Sequence, residues 1–243
     1  MTIPSTIQAR ELDRRGAGRL GIGAGLGFAG AFLAIVLPLL FLFVTAEFPG
    51  GFFVWNATLV EVSSVLVLAG AILLFLSLFF YRRSFAALRK VDPRFYVASI
   101  LCIVGSLGFL LLLVVAAYVA GDTSSLLSCV SGHPSHALSC LESGERLGAI
   151  TAIVGFLLGW LGGVGIMLGL LVAGSRFRSG ALSASGALYG LLLLILLIPL
   201  VSLFVTVPDV AYLLILSPLL ALVGPGLALS GSVRTRERLG PSA

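Results

Sequence analysis

Apolar residues run along the chain in long stretches, and charged residues gather in short segments between them. The hydrocarbon core of a bilayer is about 30 Å thick, so one helical crossing needs about 20 apolar residues. Six stretches reach this length, and none is long enough for two crossings. The predicted spans are residues 20–46, 59–81, 95–121, 147–174, 182–207 and 210–232.

These stretches predict helices rather than barrel strands. Backbone polar groups inside hydrocarbon must be paired within the protein, which leaves helices or closed barrels. Runs such as LYGLLLLILLIPL are continuously apolar, whereas a barrel strand alternates apolar and polar residues. The predicted fold is therefore an all-α, polytopic integral membrane protein with six transmembrane helices. Its parts are a basic arm (1–19), a transmembrane domain (20–233) with an outer loop (122–146), and a tail (234–243).

Composition and charge fix the class and the expected orientation. Hydrophobic residues make up 59% of the chain and charged residues 10%, whereas a soluble domain carries about 25% charged residues. All fifteen Lys and Arg residues except Arg146 fall on one side of the predicted membrane. Because cytoplasmic loops carry an excess of Lys and Arg, we expect a multi-pass protein of the cell membrane with both termini cytoplasmic. The net charge of +5 then reflects topology, and no nucleic-acid partner is expected.

The middle of every predicted span lacks Asp, Glu, Lys, Arg and His. Ion-coupled carriers use ionisable groups inside the membrane, and intramembrane metalloproteases need ligating side chains there. These classes are excluded, and no catalytic residue is predicted. The leading hypothesis is a non-enzymatic accessory or assembly subunit that contacts the bilayer and other membrane proteins or further copies of itself. The alternative is an uncoupled transporter or channel-like protein for a small or apolar solute.

Glycines recur at four-residue spacing in two predicted helices, at Gly155, Gly159 and Gly163 and at Gly23 and Gly27. Small residues let helix backbones approach closely, which is how helices associate in lipid. This spacing predicts helix packing within the six-helix bundle. A dimerisation surface or a thin-walled cavity would use the same glycines.

The second predicted helix continues into a basic connector, FFYRRSFAALRKVDPRF. Tyr81, Phe85 and Leu88 recur at helical spacing, and basic side chains take the other faces. Such an amphipathic stretch is suited to the membrane interface, with basic side chains near anionic headgroups. The connector is therefore either a topology determinant alone or an interface with lipid or a partner. The candidate interface residues are Arg82, Arg83, Phe85, Arg89 and Lys90.

The connector also carries a resemblance to a known family. The pattern F-x-x-L…V-D-x-R-F, followed later by G-L-x-x-x-G-S-R-F, resembles an uncharacterised family of small prokaryotic, mainly archaeal, multi-pass membrane proteins, a domain of unknown function. The matching residues are Phe85, Leu88, Val91, Asp92, Arg94 and Phe95, then Gly169, Leu170, Gly174, Ser175, Arg176 and Phe177. The resemblance runs from about helix 2 to helix 5. It implies a prokaryotic membrane protein and supplies no catalytic residue.

The predicted outer loop contains CVSGHPSHALSC, in which Cys129 and Cys140 enclose His133 and His136. Because this topology places the loop on the oxidising side, a disulfide between Cys129 and Cys140 is the favoured interpretation. Cys and His also bind zinc and copper, so the alternatives are free thiols and a metal site formed by all four residues. Its spacing lacks the short Cys pair of common zinc folds. An extracytoplasmic redox or metal-handling protein is thus the third functional hypothesis.

Overall fold

The computed structural model describes residues 6–38, 57–121, 146–202 and 211–240. Within these ranges the chain forms six helices that are long and apolar enough to cross a membrane. The prediction of six apolar, membrane-length helices is therefore confirmed. The helices are α1 (Thr6–Ala31), α2 (Ala57–Leu88), α3 (Phe95–Gly121), α4 (Arg146–Phe177), α5 (Gly180–Ser202) and α6 (Ala211–Arg238).

The first and last helices extend beyond the predicted spans. α1 begins at Thr6, so residues 6–19 of the predicted arm are the first turns of the same helix. α6 continues to Arg238 and takes in the start of the predicted tail. Hydrophobicity locates a membrane crossing, whereas a helix continues wherever its backbone pairing is sustained. The polar ends of the chain are therefore structured extensions of the bundle.

α1 is followed by a π-helical turn, Phe32–Val36, which leads to Pro38. Leu37 donates its backbone N–H to the carbonyl oxygen of Phe32, five residues earlier. Pro38 has no N–H to give to the Ala34 carbonyl, so regular α-helical pairing cannot continue through this point. The wider turn lets the helix accommodate the proline.

The six described helices form a closed ring. Each packs against its neighbours in the chain, and α6 returns to pack against α1. The most extensive pairings are α3 with α4 and α1 with α2, and α2 also touches α4 across the ring. One end of the ring gathers the start of α1, the ends of α2, α4 and α6, and the turns between α2 and α3 and between α4 and α5. Because the basic side chains of the described residues other than Arg146 cluster there, we call this end the basic face.

The centre of the ring is closely packed in the half next to the basic face. The Phe85 ring stacks on Tyr81 and Phe95, with ring centroids 6.0 and 5.9 Å away, and all three side chains are fully buried. α4 accommodates the Phe85 ring at Gly169, where a Cβ would collide with it. The other large, fully buried side chains of this core are Leu20, Leu88, Cys102, Leu170 and Leu182.

Candidate functional site

An ion-pair network on the basic face joins α1, the α2–α3 turn and α4. The Arg176 guanidinium donates to both carboxylate oxygens of Asp13, at 3.0 and 2.9 Å. Its Nη1 lies 3.6 Å from Oδ2 of Asp92. Asp92 in turn accepts from Arg94, through Nε at 3.2 Å and Nη2 at 2.9 Å. Acid and base therefore alternate along the network, in the order Asp13, Arg176, Asp92, Arg94.

The local sequence places Asp92 for this role. α2 ends at Leu88, and Pro93 disfavours a helical conformation at the residue before it. The Asp92 carboxylate accepts the backbone N–H of Arg94 at 3.0 Å, an Asx turn that leads the chain into α3. The Asp92 side chain is only 8% exposed. A carboxylate this sheltered from water needs charged partners, and Arg94 and Arg176 supply them.

Arg94 lowers the pKa of Asp92 below its usual value. The hydrogen bond from the Arg94 side chain is the largest cause. Desolvation by burial acts in the opposite direction, but the Arg94 backbone N–H and the charges of Arg94 and Arg176 also lower the pKa. Asp92 is therefore a permanent negative charge at neutral pH, suited to holding arginines rather than exchanging protons. The network acts as a clamp between three segments of the chain.

The pair formed by Asp13 and Arg176 is sheltered from solvent, with side chains 14% and 22% exposed. Exposed ion pairs contribute about 0–1 kcal/mol because solvent screens them, and a sheltered bidentate pair is stronger. The pair between Glu11 and Arg15 within α1 is, by contrast, exposed at both ends. Asp13 and Arg176 are 163 residues apart in the sequence, so no local pattern could have identified their pairing.

The basic connector has an inward apolar side and an outward basic side. Phe85 was assigned from the sequence to a lipid or partner interface, and that assignment is wrong because its side chain is fully buried in the core. Tyr81 and Leu88, on the same stripe, are fully buried as well. An interface role for the basic members of the set stays a prediction. Of these, Arg83, Arg89 and Lys90 are exposed and Arg82 is half-buried.

The predicted packing glycines of α4 contact two different helices. A Cβ on Gly155 would lie 3.1 Å from the Gly108 carbonyl oxygen on α3, and the Gly159 backbone nitrogen leaves no room for a Cβ on Gly108. Gly163 faces α5 instead, where a Cβ would lie 2.5 Å from Cδ2 of Leu193. Gly155 and Gly163 therefore face different helices, and a Cβ on Gly159 would meet only Cδ1 of Leu112, at 3.9 Å.

The backbones of α3 and α4 also meet at Gly105 and Gly162, which the sequence pattern did not single out. A Cβ on Gly162 would lie 2.6 Å from the Gly105 Cα, and Gly162 blocks a Cβ on Gly105 in the same way. Gly165 continues this face, since a Cβ there would lie 3.0 Å from the Ala98 carbonyl oxygen. Backbone-to-backbone contact of this kind requires glycine on both helices.

α1 and α2 are joined by serine hydroxyls that donate to glycine carbonyls. Ser77 Oγ donates to the Gly23 carbonyl and Ser84 Oγ to the Gly16 carbonyl, both at 2.7 Å. Gly27, the second predicted packing residue of α1, lies against Ser77, where a Cβ would be 2.9 Å from Oγ. Both hydroxyls are buried and so need acceptors. The two bonds fasten α1 to α2 along the packed half of the ring.

The residues that carry the family resemblance meet in the structure. Asp92, Arg94 and Arg176 belong to the ion-pair network, and Gly169 lies directly against the Phe85 ring. The two parts of the sequence pattern, one at the α2–α3 turn and one at the end of α4, therefore pack together. They join the buried core to the basic face.

The candidate disulfide and metal ligands, Cys129, His133, His136 and Cys140, lie outside the described residues. The disulfide and the zinc or copper site thus stay predictions. In the ranges that the structure describes, no group of three or more His, Cys, Asp or Glu side chains could hold a metal ion. Cys102, in α3, is a buried free thiol.

No family model, no curated protein and no solved structure matches the chain. The family resemblance therefore stays a prediction. Inference about function rests on the ion-pair network, the packed core and the distribution of charge.

Proposed function

We propose that the protein is a non-enzymatic accessory or assembly subunit of the cell membrane, with both termini in the cytoplasm. The observation that carries this proposal is the packed centre of the ring next to the basic face. Phe85 occupies that centre with Tyr81 and Phe95 stacked on it, and Leu20 and Leu170 are fully buried beside them. Each of the six helices contributes a side chain to this core.

A packed centre favours a structural role over solute passage. A channel or uncoupled carrier needs a path along the axis of its helices, whereas close-packed side chains leave gaps smaller than a water molecule. Opening such a path would separate the Phe85 stack and pull on the ion-pair network directly beyond it. The ring and its clamp are better suited to holding six helices in a fixed relation.

A fixed ring presents apolar outer faces that a partner helix can use. Val65 on α2 and Leu107 and Val114 on α3 are 66%, 56% and 65% exposed. Lipid is as apolar as these side chains, so association with a partner depends on packing and not on removing them from water. A rigid, pre-formed surface lowers the entropy cost of that packing.

The orientation is supported by the distribution of charge. The start of α1 and the end of α6 lie on the same face of the ring, together with the basic α2–α3 turn. The positive-inside rule places a face of this kind in the cytoplasm.

The test is purification of the tagged full chain from its native membranes in mild detergent, with copurifying proteins quantified by mass spectrometry. We expect at least one membrane protein in a near-stoichiometric amount. Leu107→Trp, on the outer face of α3, should reduce its recovery. Leu194→Trp is the matched control, because Leu194 is 63% exposed on α5.

Purification of the chain alone, together with solute flux in proteoliposomes, would contradict the proposal and favour the channel-like alternative. Equal loss of the partner in both Trp variants would assign the effect to general instability and would also count against the α3 surface.

A further inference from the structure

A cavity of about 480 Å³ opens on the basic face beside the ion-pair network. Its wall is formed by the end of α4, the α4–α5 turn, the end of α6 and the first part of α1. Three arginines line it, Arg176, Arg178 and Arg238, together with Thr235 and the Asp13 carboxylate. Its volume falls within the range of about 300–1,000 Å³ that is typical of small-ligand sites.

We propose that this cavity binds a phosphate group, held by the guanidinium groups of Arg178 and Arg238. This inference goes beyond the proposed function, since neither a partner subunit nor the orientation of the chain is needed for it. The ligand is defined by its chemistry, a phosphate monoester or diester, whether that group belongs to a lipid headgroup or to a soluble compound.

The charge balance of the cavity leaves two arginines available. Asp13 is occupied by Arg176, which also approaches Asp92, and Asp92 is further paired with Arg94. The two carboxylates and these two arginines cancel one another. Arg178 and Arg238 have no carboxylate within ion-pair distance among the residues that the structure describes. Guanidinium groups match phosphate oxygens in a bidentate geometry.

The backbone at Arg178 adopts a conformation that arginine rarely takes. Arg178 has φ of 49°, in the left-handed region. It occupies the position of a Schellman motif that glycine prefers, since Ser179 N–H bonds to the Gly174 carbonyl at 2.9 Å. The turn costs an arginine more than it would cost a glycine, and it places Arg178 on the wall of the cavity.

The position of the cavity suits a lipid phosphate as well as a soluble one. The candidate membrane spans of α4 and α6 run to Phe177 and Arg238, and basic residues at their ends are typical of the place where a membrane helix leaves the hydrocarbon. Basic pockets between helices at this depth bind anionic headgroups. Phe177 and Leu239 add apolar wall beside the arginines, where the carbon skeleton next to a phosphate can rest.

The test measures binding of two probes to the purified full chain in a neutral detergent, by native mass spectrometry and by thermal shift. The probes are dioctanoyl phosphatidic acid and glycerol 3-phosphate, which share a phosphate but differ in acyl chains. Binding of the lipid alone assigns the site to a headgroup, and binding of both with similar Kd assigns it to a soluble phosphate compound. Either result supports the proposal.

Variants connect the binding to the cavity. Arg178→Gln combined with Arg238→Gln should weaken binding at least about tenfold, because two charge-assisted contacts are lost. Arg234→Gln combined with Arg236→Gln removes the same charge from exposed positions outside the cavity and should leave the Kd unchanged. Equal weakening in both double variants, or binding of neither probe, would overturn the proposal.

Arg178→Gly separates ligand binding from stability. Glycine relieves the left-handed backbone, so the ligand-free variant should unfold at a higher temperature than the natural protein while binding the phosphate probe more weakly. A more stable variant with unchanged binding would also contradict the proposal.

Discussion

The contact between Gly105 and Gly162 permits a sharp comparison of two alanine substitutions on one helix. A Cβ on Gly162 would lie 2.6 Å from the Gly105 Cα, whereas a Cβ on Gly159 would meet only Cδ1 of Leu112, at 3.9 Å. Both sites lie within α4, and Gly→Ala is the same chemical change at each. We therefore expect Gly162→Ala to destabilise the bundle and Gly159→Ala to leave it unchanged or more stable.

Two opposing effects set the difference in the free energy of unfolding between the two variants. Alanine is favoured over glycine inside a helix by up to about 1 kcal/mol, and this gain applies at both positions. Carbon atoms pack best at about 3.5–4.0 Å, so the methyl group at residue 162 is about 1 Å too close to a backbone atom that cannot rotate away. Overpacking of this kind costs about 1–3 kcal/mol. The free energy of unfolding should differ by about 2 kcal/mol between the two variants.

The assay is equilibrium unfolding of the purified chain in mixed micelles with increasing SDS, followed by circular dichroism. Gly162→Ala should unfold at a lower SDS fraction than the natural protein, and Gly159→Ala at the same or a higher one. Equal shifts in the same direction would refute the reasoning, because the two sites would then share one environment.

Three further predictions follow from the hydrogen bonds, the ion pairs and the charge distribution. Ser84→Ala should cost about 1 kcal/mol in the same assay, because it breaks the 2.7 Å bond to α1, whereas Ser106→Ala, whose hydroxyl bonds only within α3, should have little effect. Because the folded-state pKa of Asp92 is lowered, its stabilising contribution is complete above about pH 4 and is lost as pH falls through the folded value. Asp92→Asn should accordingly be less stable at pH 7 and less sensitive to acid, as circular dichroism across a pH series would reveal. A reporter fused after Ala243 should be active only in a form that works in the cytoplasm, and activity of an exported reporter there would contradict the orientation.

The sequence was sufficient to predict the helices because hydrocarbon imposes a length on every crossing. The predicted span 95–121 coincides with α3, and 147–174 differs from α4 by one residue at its start and three at its end. Charge-free intervals could not predict the start of α1 at Thr6, since its first turns are polar and lie outside the apolar run.

The partners of each helix face could not be predicted in the same way. Phe85 illustrates the reason: in a membrane protein, both the core and the lipid-facing surface are apolar, so an apolar stripe does not tell which of the two it faces. Gly163 could not be assigned to a partner helix either. Regular spacing places glycines on one side of a helix, but which helix packs there depends on the arrangement of all six. The pairing of Asp13 with Arg176 depends on that ring too.

The closure of the ring has a consequence for biogenesis. α1 and α2 are made one after the other and can form their serine–glycine bonds as soon as both have entered the bilayer. α6, the other neighbour of α1, is made after all the helices between them. Until then, the side of α1 that receives α6, near Gly21 and Gly25, stays open to lipid or to a membrane insertase. The contact between α1 and α6 therefore forms last. In a chain whose synthesis stops before α6, the side of α1 that packs against α6 would remain exposed.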